Sequence, residues 1–436
     1  MNHSPGSIVA VVLLFISFSL SARVPDDYYS IVRGNSGSER TIAVITDIHF
    51  LSPRLAVEGE ALYAFEKSTG RNVTDQHQVL DQVLGDLIRE KPAILLLTGD
   101  ITNHGERQSH LDFIEKLRPL QKRGTRIFVI PGNHDINIPD AKAYSDVKAT
   151  PVESISKEEF AKLYLSFGYG DALKRDPASL SYLTAVDEDT WLLCFDSNRY
   201  DEYTTGSISG GRIRPQTMTW ALSLLQEAKE KGVRVIGMMH HGLVEHMAYQ
   251  AAFFPDYLVD DWQRNADILA DAGLKVIFTG HFHSSDISRH TSPAGNTIYD
   301  VETASLAQYP FAWRIMTMND TTLSIDTRFV NDIPGNARFE EESRQRLETV
   351  TRRVAQRKLN ALGMPLPAAT MEALTEVIVK LNMMHVRGDE TPDPAMERAI
   401  RMFASLLGDE ADIEEFTFDF PPEDNNVVIP LKKGVM

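Results

Sequence analysis

The sequence contains very little cysteine. A single cysteine, Cys194, occurs among 436 residues, inside the apolar run TWLLCFD. One thiol cannot form an internal disulfide, and it cannot supply the several thiolates of a typical structural zinc site. An internal disulfide is therefore excluded, and the lack of thiolates argues against a structural zinc site. We interpret Cys194 as a small core residue of a buried strand.

Positive charge is also scarce. The chain has 44 Lys and Arg residues against 61 Asp and Glu residues, which gives a formal net charge of −17 at pH 7. A chain this acidic repels a polyanion, so long DNA or RNA is disfavoured as a substrate. A small nucleotide held by metal ions is not excluded. The sequence shows no internal repeat and no low-complexity tract, and its length suits one large domain with a smaller addition.

Long apolar runs are scarce, and one of them lies close to the N-terminus. Ile8–Leu20 is too short to span a bilayer comfortably. Small residues follow it up to Ala22, but the usual positive leading region is missing, because no Lys or Arg precedes Arg23. The pattern predicts a signal peptide over residues 1–22 and export to the periplasm or the medium. An uncleaved membrane anchor is the alternative, and no stable membrane span is expected.

Five apolar segments run directly into residues that can bind metal ions. Their sequences are TIAVITDIH, PAILLLTGD, RIFVIPGNHD, VRVIGMMHH and LKVIFTGHFH. Apolar runs of this kind are typical of buried strands in a parallel sheet, whose chemistry lies beyond the carboxyl ends of the strands. The polar residues at these ends are Asp47, His49, Asp100, Asn133, His134, Asp135, His240, His241, His281 and His283. Such a mixture of carboxylate, amide and imidazole suits Fe, Mn, Zn or Co.

The order of these motifs resembles that of the calcineurin-like metallophosphoesterases. The chain has Asp-x-His, Gly-Asp, Gly-Asn-His-Asp, His and Gly-x-His-x in succession, over roughly residues 41–330. The resemblance implies an α/β fold, an αββα sandwich in which helices flank two central mixed sheets, within a catalytic domain over residues 40–331. It also implies two divalent or trivalent transition-metal ions (Fe, Mn or Zn), bridged by one carboxylate and a hydroxide.

The resemblance further implies a ligand set for each ion. One ion takes Asp47, His49, Asp100 and His283, and the other takes Asp100, Asn133, His240 and His281, so that Asp100 is the bridge. His240 is favoured as a ligand over His241 because it directly follows the apolar strand. His241 is then a candidate to support a ligand or to contact the substrate. Gly242 and Leu243, which come next, depart from the usual pattern of the family.

His134 is the predicted proton donor, since the resemblance places it near the scissile phosphate. Asp135 is expected to orient its ring and to raise its pKa, as an opposite charge does. Asn103 stands where purple acid phosphatases have a tyrosine that binds ferric iron, so that chemistry is not expected. Asn103 and His104 are candidates either to line the site or to cap the next helix.

Within the family, the chain most resembles secreted bacterial cyclic-nucleotide phosphodiesterases. The phrases GDITNHGE, FVIPGNHDIN and SLSYL carry this resemblance, together with a helical C-terminal region. It implies hydrolysis of small phosphodiesters, with cyclic nucleotides as leading candidates. The alternatives are a phosphomonoesterase or nucleotidase of the same family, a non-catalytic binding protein that keeps the metals, and a scaffold built on the helices. No ligand motif carries an Arg, which would help to hold a monoester dianion, although a distant Arg could fold into the site.

Apolar periodicity outlines the remaining elements. Helical spacing predicts helices around residues 76–89, 111–120, 215–231 and 261–272, and a capping box at Ser156 and Glu159 predicts another. The long segment from His49 to Thr74 is expected to be a loop that borders the active site. Charged amphipathic segments after Asp332 predict a small helical domain over residues 332–436, with an extended tail and no ligand for the two ions.

Overall fold

A computed structural model describes residues 39–247, 250–361, 367–398 and 423–431. The predicted signal peptide lies outside these residues, as does most of the third helix expected in the C-terminal region. Among the described residues, no helix has both the length and the apolar character that a membrane span requires.

Strands of the described chain form two large sheets and one hairpin. The strands are β1 Arg40–Ile45, β2 Ile94–Leu97, β3 Arg126–Val129, β4 Lys142–Tyr144, β5 Ala149–Pro151, β6 Lys174–Arg175, β7 Tyr182–Ala185, β8 Thr190–Cys194, β9 Arg234–Met238, β10 Val276–Thr279, β11 Ile287–Thr291, β12 Thr297–Glu302, β13 Ala312–Met318, β14 Thr322–Phe329 and β15 Asn426–Pro430. The first sheet has six strands in the order β15-β14-β13-β1-β2-β3. The second has seven in the order β11-β12-β10-β9-β8-β7-β6, and β4 pairs with β5.

Helices lie between these strands and after them. Their bounds are α1 Glu60–Thr69, α2 Val73–Glu90, α3 Arg107–Lys122, α4 Lys157–Leu163, α5 Pro215–Lys231, α6 Gln250–Phe253, α7 Trp262–Asp271, α8 Phe339–Ala361 and α9 Ala368–His385. Apolar faces of α2 and α3 share a buried cluster with the six-stranded sheet, and those of α5 and α7 share one with the seven-stranded sheet. The predicted α/β sandwich with two mixed sheets and C-terminal helices is therefore confirmed.

Parallel strands form the centre of both sheets. In the first sheet β1, β2 and β3 run parallel, with Ile45 opposite Leu97 and Leu97 opposite Val129. In the second sheet β8, β9, β10 and β12 run parallel. Because these strands end level with one another, the residues that follow them meet at one edge of the sandwich.

The segment after His49 differs from its expected loop structure, because helix α1 occupies part of it. The helix ends at Gly70, which has a φ of 82° and so adopts the left-handed conformation that terminates many helices. Leu62 packs against Leu51 and Tyr144 in a small apolar cluster of its own. This tertiary contact stabilises a helix that is too short to be evident from periodicity.

Half of the predicted capping box is present at α4. The Ser156 hydroxyl accepts a hydrogen bond from the Glu159 backbone N–H at 3.3 Å, as a helix cap requires. The Glu159 carboxylate does not return to Ser156 but accepts one from Arg107 Nε at 2.7 Å. This second contact ties α4 to α3.

After Asp332 the chain forms α8 and α9, which pack against each other. The extended tail then rejoins the six-stranded sheet, because β15 pairs with the outer side of β14. The chain segments on either side of the boundary expected at residue 332 thus share one sheet.

Candidate metal centre

Ends of five parallel strands deliver the predicted site residues to one place. Backbone hydrogen bonds hold the loops together: Asp47 N donates to Gly99 O at 3.1 Å and His49 N donates to Asp100 O at 3.0 Å. In the other sheet, Gly280 N donates to His240 O at 3.0 Å. Side chains from both sheets therefore face each other across the edge of the sandwich.

One group of possible metal donors comprises Asp47, His49 and His283. His283 Nε2 lies 3.1 Å from Asp47 Oδ1 and 3.4 Å from His49 Nε2. A second group comprises Asp100, His240 and His281. There, His240 Nε2 lies 3.1 Å from Asn133 Oδ1.

Asp100 lies between the two groups. Its Oδ2 is 3.7 Å from His49 Nε2, and its Oδ1 is 3.5 Å from His240 Nε2. The His134 backbone N–H donates to the same Oδ1 at 2.8 Å, which holds the carboxylate in position. One carboxylate thus presents one oxygen to each group, as a bridging ligand must.

The two adjacent histidines after β9 have different surroundings. His240 Nδ1 donates to Thr98 O at 2.9 Å, so its Nε2 carries no proton in the neutral ring and can bind a cation. Both nitrogens of His241 are engaged elsewhere, with Ser197 Oγ at 2.7 Å and Ser209 O at 2.9 Å. The geometry favours His240 as the ligand, and His241 packs behind it against the His281 ring.

Backbone strain is concentrated at the site. Five of its residues have positive φ, which is uncommon outside glycine and marks functional sites when the surrounding structure enforces it. They are Asp47 (46°), His49 (45°), Asp100 (46°), His281 (76°) and His283 (66°). Gly132 permits the close approach of its loop, since a Cβ on it would lie only 2.2 Å from Asp100 Oδ1.

The donor set fits a pair of cations. Asp47 and Asp100 are both buried, and burying two carboxylates so close together is unfavourable unless positive charge compensates them. Burial lowers the pKa of His240, but the neighbouring Asp100 outweighs it and raises that pKa to about 9. The buried His49 Nδ1 and Asn133 Nδ2 have no hydrogen-bond partner among the described residues. The site therefore favours positive charge, and its polar atoms are not all satisfied by the protein.

Asp135 does not have the expected role. Its carboxylate accepts hydrogen bonds from the backbone N–H groups of Gly132 at 2.7 Å, Thr102 at 2.8 Å and Ile101 at 3.1 Å. It therefore braces the loops after β2 and β3 and does not orient the His134 ring. Burial, together with Asp100, raises the pKa of Asp135 to about 7.

Arg71, and not Asp135, contacts the His134 ring. Arg71 Nη2 lies 3.0 Å from His134 Nε2, and because Arg can only donate, this nitrogen accepts. The proton of the neutral ring is then on Nδ1, which is buried and has no partner among the described residues. Burial and the Arg71 charge lower the pKa of His134 well below its usual value, so the expected increase is wrong.

Arg71 is the main residue that the sequence did not identify. It lies between α1 and α2, it is 8% exposed, and its Nη1 donates to Asn103 Oδ1 at 3.1 Å. Asn103 thus lines the site and does not cap α3, while His104 stacks on His134 with ring centroids 5.2 Å apart. The one available signal was that the segment from His49 to Thr74 follows two candidate ligands.

The chain was compared with family models, curated sequences and solved structures. The family model described as calcineurin-like phosphoesterase matches residues 40–285. A dimetal phosphatase from Danio rerio is 13% identical with a TM-score of 0.46, over 66% of this chain and 96% of that one. A putative 5′-nucleotidase from Staphylococcus aureus is 12% identical with a TM-score of 0.38, over 72% of this chain and 58% of that one. No curated protein sequence matches the chain.

Proposed function

Since the chain belongs to the calcineurin-like phosphoesterase family, we propose that it uses two metal ions to hydrolyse small phosphodiesters, with cyclic nucleotides as the leading substrates. The observation that carries the hydrolytic part is the position of Asp100, which directs one oxygen to each of two groups of donors. A single-metal site would not need a shared carboxylate of this kind.

The proposed ligand sets are those that the family resemblance implies, and this geometry supports them. Asp47, His49, Asp100 and His283 would hold one ion, and Asp100, Asn133, His240 and His281 would hold the other. When bound, such a pair neutralises phosphoryl oxygens and lowers the pKa of a water molecule toward neutrality. The nitrogen and oxygen donors suit Fe, Mn or Zn.

Residues beside these ligands would stabilise the leaving oxygen and help to bind the substrate. When neutral, His134 carries its proton on Nδ1 because its Nε2 accepts from Arg71, and this N–H would donate a hydrogen bond that stabilises the leaving oxygen. Arg71 holds the other ring nitrogen and brings a fixed positive charge next to the scissile phosphate. Asn103 keeps the guanidinium in place, and Asp135 keeps the loops together.

Two properties of the sequence support a small diester. The net charge of −17 disfavours long polyanions. The motifs GDITNHGE and FVIPGNHDIN resemble those of cyclic-nucleotide phosphodiesterases. A diester carries a single negative charge, which two metal ions can hold without several cationic side chains.

Arg71 favours a second candidate, a phosphomonoesterase or nucleotidase. The argument for a diester also used the absence of Arg from the ligand motifs, and a distant Arg does fold into the site. A guanidinium binds the two exposed oxygens of a terminal phosphate well, because its parallel N–H groups match them. Because Arg71 lies in the site, the lack of Arg in the ligand motifs no longer favours a diester over a monoester.

A direct comparison of substrates separates the two functions. With the same metal, we expect kcat/KM for 2′,3′- or 3′,5′-cyclic nucleotides to exceed that for the corresponding monophosphate. A tenfold or greater preference for the monophosphate would reject the diesterase and support the nucleotidase. Arg71→Gln adds a second readout: the substitution should reduce kcat/KM similarly for both substrates in a diesterase, but much more for the monophosphate in a monoesterase.

Export through the N-terminal segment is a further part of the proposal. It rests on the apolar run Ile8–Leu20 and the small residues up to Ala22. When the full-length chain is expressed, we expect the product in the exported fraction to begin at a new N-terminus near Arg23. Recovery of the intact chain in the cytoplasmic fraction would contradict it.

A further inference from the structure

A second group of histidines and carboxylates lies outside the metal centre, where the C-terminal helices meet the seven-stranded sheet. We call it the tail cluster. All of its side chains are buried, and they are His246, Asp286, Asp300, Glu302, His385 and Glu390. His385 is the last residue of α9 and Glu390 follows shortly after, whereas Asp286 directly precedes β11 and Glu302 ends β12.

Contacts within the tail cluster form a chain. His385 Nδ1 lies 2.6 Å from Glu390 Oε1 and 3.7 Å from Asp286 Oδ2. The other oxygen of Asp286 lies 2.7 Å from His246 Nδ1. On its far side, His246 Nε2 faces Asp300 Oδ2 at 3.3 Å and Glu302 Oε2 at 3.5 Å.

Negative charge is in excess within the tail cluster. Its four carboxylates face two imidazoles and the buried Arg314, whose guanidinium donates to backbone carbonyls, including that of Glu302. Even with both imidazoles protonated, the carboxylates outnumber the positive charges of these groups. Burying uncompensated charge is unfavourable, so a further cation would stabilise the cluster.

Unsatisfied atoms point to the same need. Glu390 Oε2 and Glu302 Oε2 are buried and have no hydrogen-bond partner among the described residues. Buried carboxylate oxygens normally accept hydrogen bonds or bind metals, so each such atom requires an explanation. A cation next to Glu390 would satisfy its free oxygen.

We propose that Asp286, His385 and Glu390 form a third metal site, which fastens the end of α9 to the start of β11. Their donor atoms all lie within 4.8 Å of one another, and the three side chains are buried. One imidazole nitrogen with two carboxylates suits Zn²⁺ or Mn²⁺. The ion would replace the proton now shared between His385 and Glu390, because a metal ligand must be deprotonated.

His246 gives the site the outer support that metal ligands need. Its Nδ1 donates to Asp286 Oδ1, which leaves Asp286 Oδ2 facing His385. Asp300 and Glu302 lie within ion-pair distance of the far side of the His246 ring. A ligand carboxylate that accepts a hydrogen bond, as Asp286 does from His246, is typical around bound metals. Because the ligands come from both sides of the contact between α9 and the sheet, the ion would be structural.

Counting metal ions in the folded, full-length chain tests the proposal. After loading with Zn²⁺ or Mn²⁺ and removal of free metal, we expect three ions per chain in the wild type. Glu390→Gln, which keeps the shape of the side chain, should bind two ions and retain its phosphoesterase activity. Asp100→Asn should keep the third ion while it loses metal from the other centre. The readout is metal content, so it does not depend on the proposed activity.

A matched control is His290→Gln. His290 also pairs with a carboxylate, Asp267 at 2.7 Å, but lies outside the tail cluster, so this variant should still bind three ions. Addition of a third equivalent of Zn²⁺ or Mn²⁺ should raise the Tm of the wild type and leave the Tm of Glu390→Gln unchanged. Only two ions in a fully active wild type, with none retained by Asp100→Asn, would overturn the proposal and assign the cluster a proton in place of the metal.

Discussion

Asp100 illustrates how much of the site depends on single residues. It is 1% exposed, and its φ of 46° turns the chain so that both carboxylate oxygens reach a group of donors. Gly99, with a φ of 102°, precedes it and allows the turn. Burial raises the pKa of Asp100, but nearby His240 and His134 outweigh this effect and hold it well below its usual value. The carboxylate is therefore ionised and ready to bind cations.

Asp100→Asn should abolish hydrolysis and lower the metal content together. An amide has no net charge and offers one strong acceptor oxygen, so it cannot bridge two cations as a carboxylate does. Elemental analysis and the rate on a chromogenic phosphodiester measure the two effects. Asp267→Asn, in a partly exposed pair, is the control and should change neither. An active Asp100→Asn chain with both ions would contradict the bridging role.

His134→Ala should keep both ions of the metal centre yet lose about 10²–10⁴ in kcat, the range usual for a side chain positioned to donate to a reacting group. The loss should be smaller for substrates with a good leaving group, whose leaving oxygen needs less stabilisation. His104→Ala is the comparison, because His104 contacts His134 by ring stacking. We expect His104→Ala to reduce kcat much less than His134→Ala does. A missing ion in His134→Ala would show instead that His134 is a ligand.

Helix α8 positions the loop that carries Arg71. Arg346 of α8 donates to Arg71 O at 3.3 Å and pairs with the buried Glu66 of α1 at 3.3 Å. Val350 packs so close to Gly70 that a Cβ there would lie 3.2 Å from it. The C-terminal helices thus contact the site through an element of the N-terminal half and contribute none of the ligands proposed for its two ions.

Arg346→Ala should therefore weaken catalysis without loss of metal. Removal of the guanidinium frees the Arg71 loop, so Arg71 is less well placed against substrate and KM should rise several-fold. Steady-state kinetics with parallel metal analysis measure this outcome. Arg344→Ala is the matched control, since Arg344 forms its salt bridge with the partly exposed Glu348 one helical turn away. Equal effects of the two substitutions would contradict the link between α8 and Arg71.

Across the whole molecule, the metal centre joins the two sheets. Asp47, His49, Asp100 and Asn133 follow strands of one sheet, while His240, His281 and His283 follow strands of the other. Bound ions would stabilise the folded chain by mass action, by about 2.7 kcal/mol per site at a free metal concentration one hundred times Kd. They would also offset the repulsion between the buried Asp47 and Asp100.

Removal of metal should therefore lower the Tm of the chain as well as its activity. We expect a chelator to shift the Tm of Glu390→Gln downward by several degrees, and this variant is chosen so that the tail cluster does not contribute. Differential scanning calorimetry before and after chelation measures the shift, and Asp100→Asn should show a much smaller one. Complete loss of activity with an unchanged Tm would contradict the role of the ions in joining the sheets.

Local patterns in the sequence were sufficient to predict the strands and the residues that follow their ends. Apolar runs such as Ala93–Leu97 and Leu274–Thr279 match β2 and β10 within two residues, because buried parallel strands need continuous apolar side chains on both faces. Helix α5 agrees with its prediction at both ends, since Pro215 and Gly232 are local signals of a helix start and end. The net charge, and with it the argument against long polyanions, is likewise a property of composition.

Contacts between distant segments decided the rest. The choice of Arg71, and not Asp135, as the partner of His134 depends on where a loop 63 residues away in sequence folds back, which no local pattern encodes. The different partners of His240 and His241 depend on carbonyl groups of two other loops. The return of β15 to the sheet depends on pairing with β14 about one hundred residues earlier. Sequence determines which side chains follow each strand by local periodicity, whereas tertiary packing determines which of their atoms face one another.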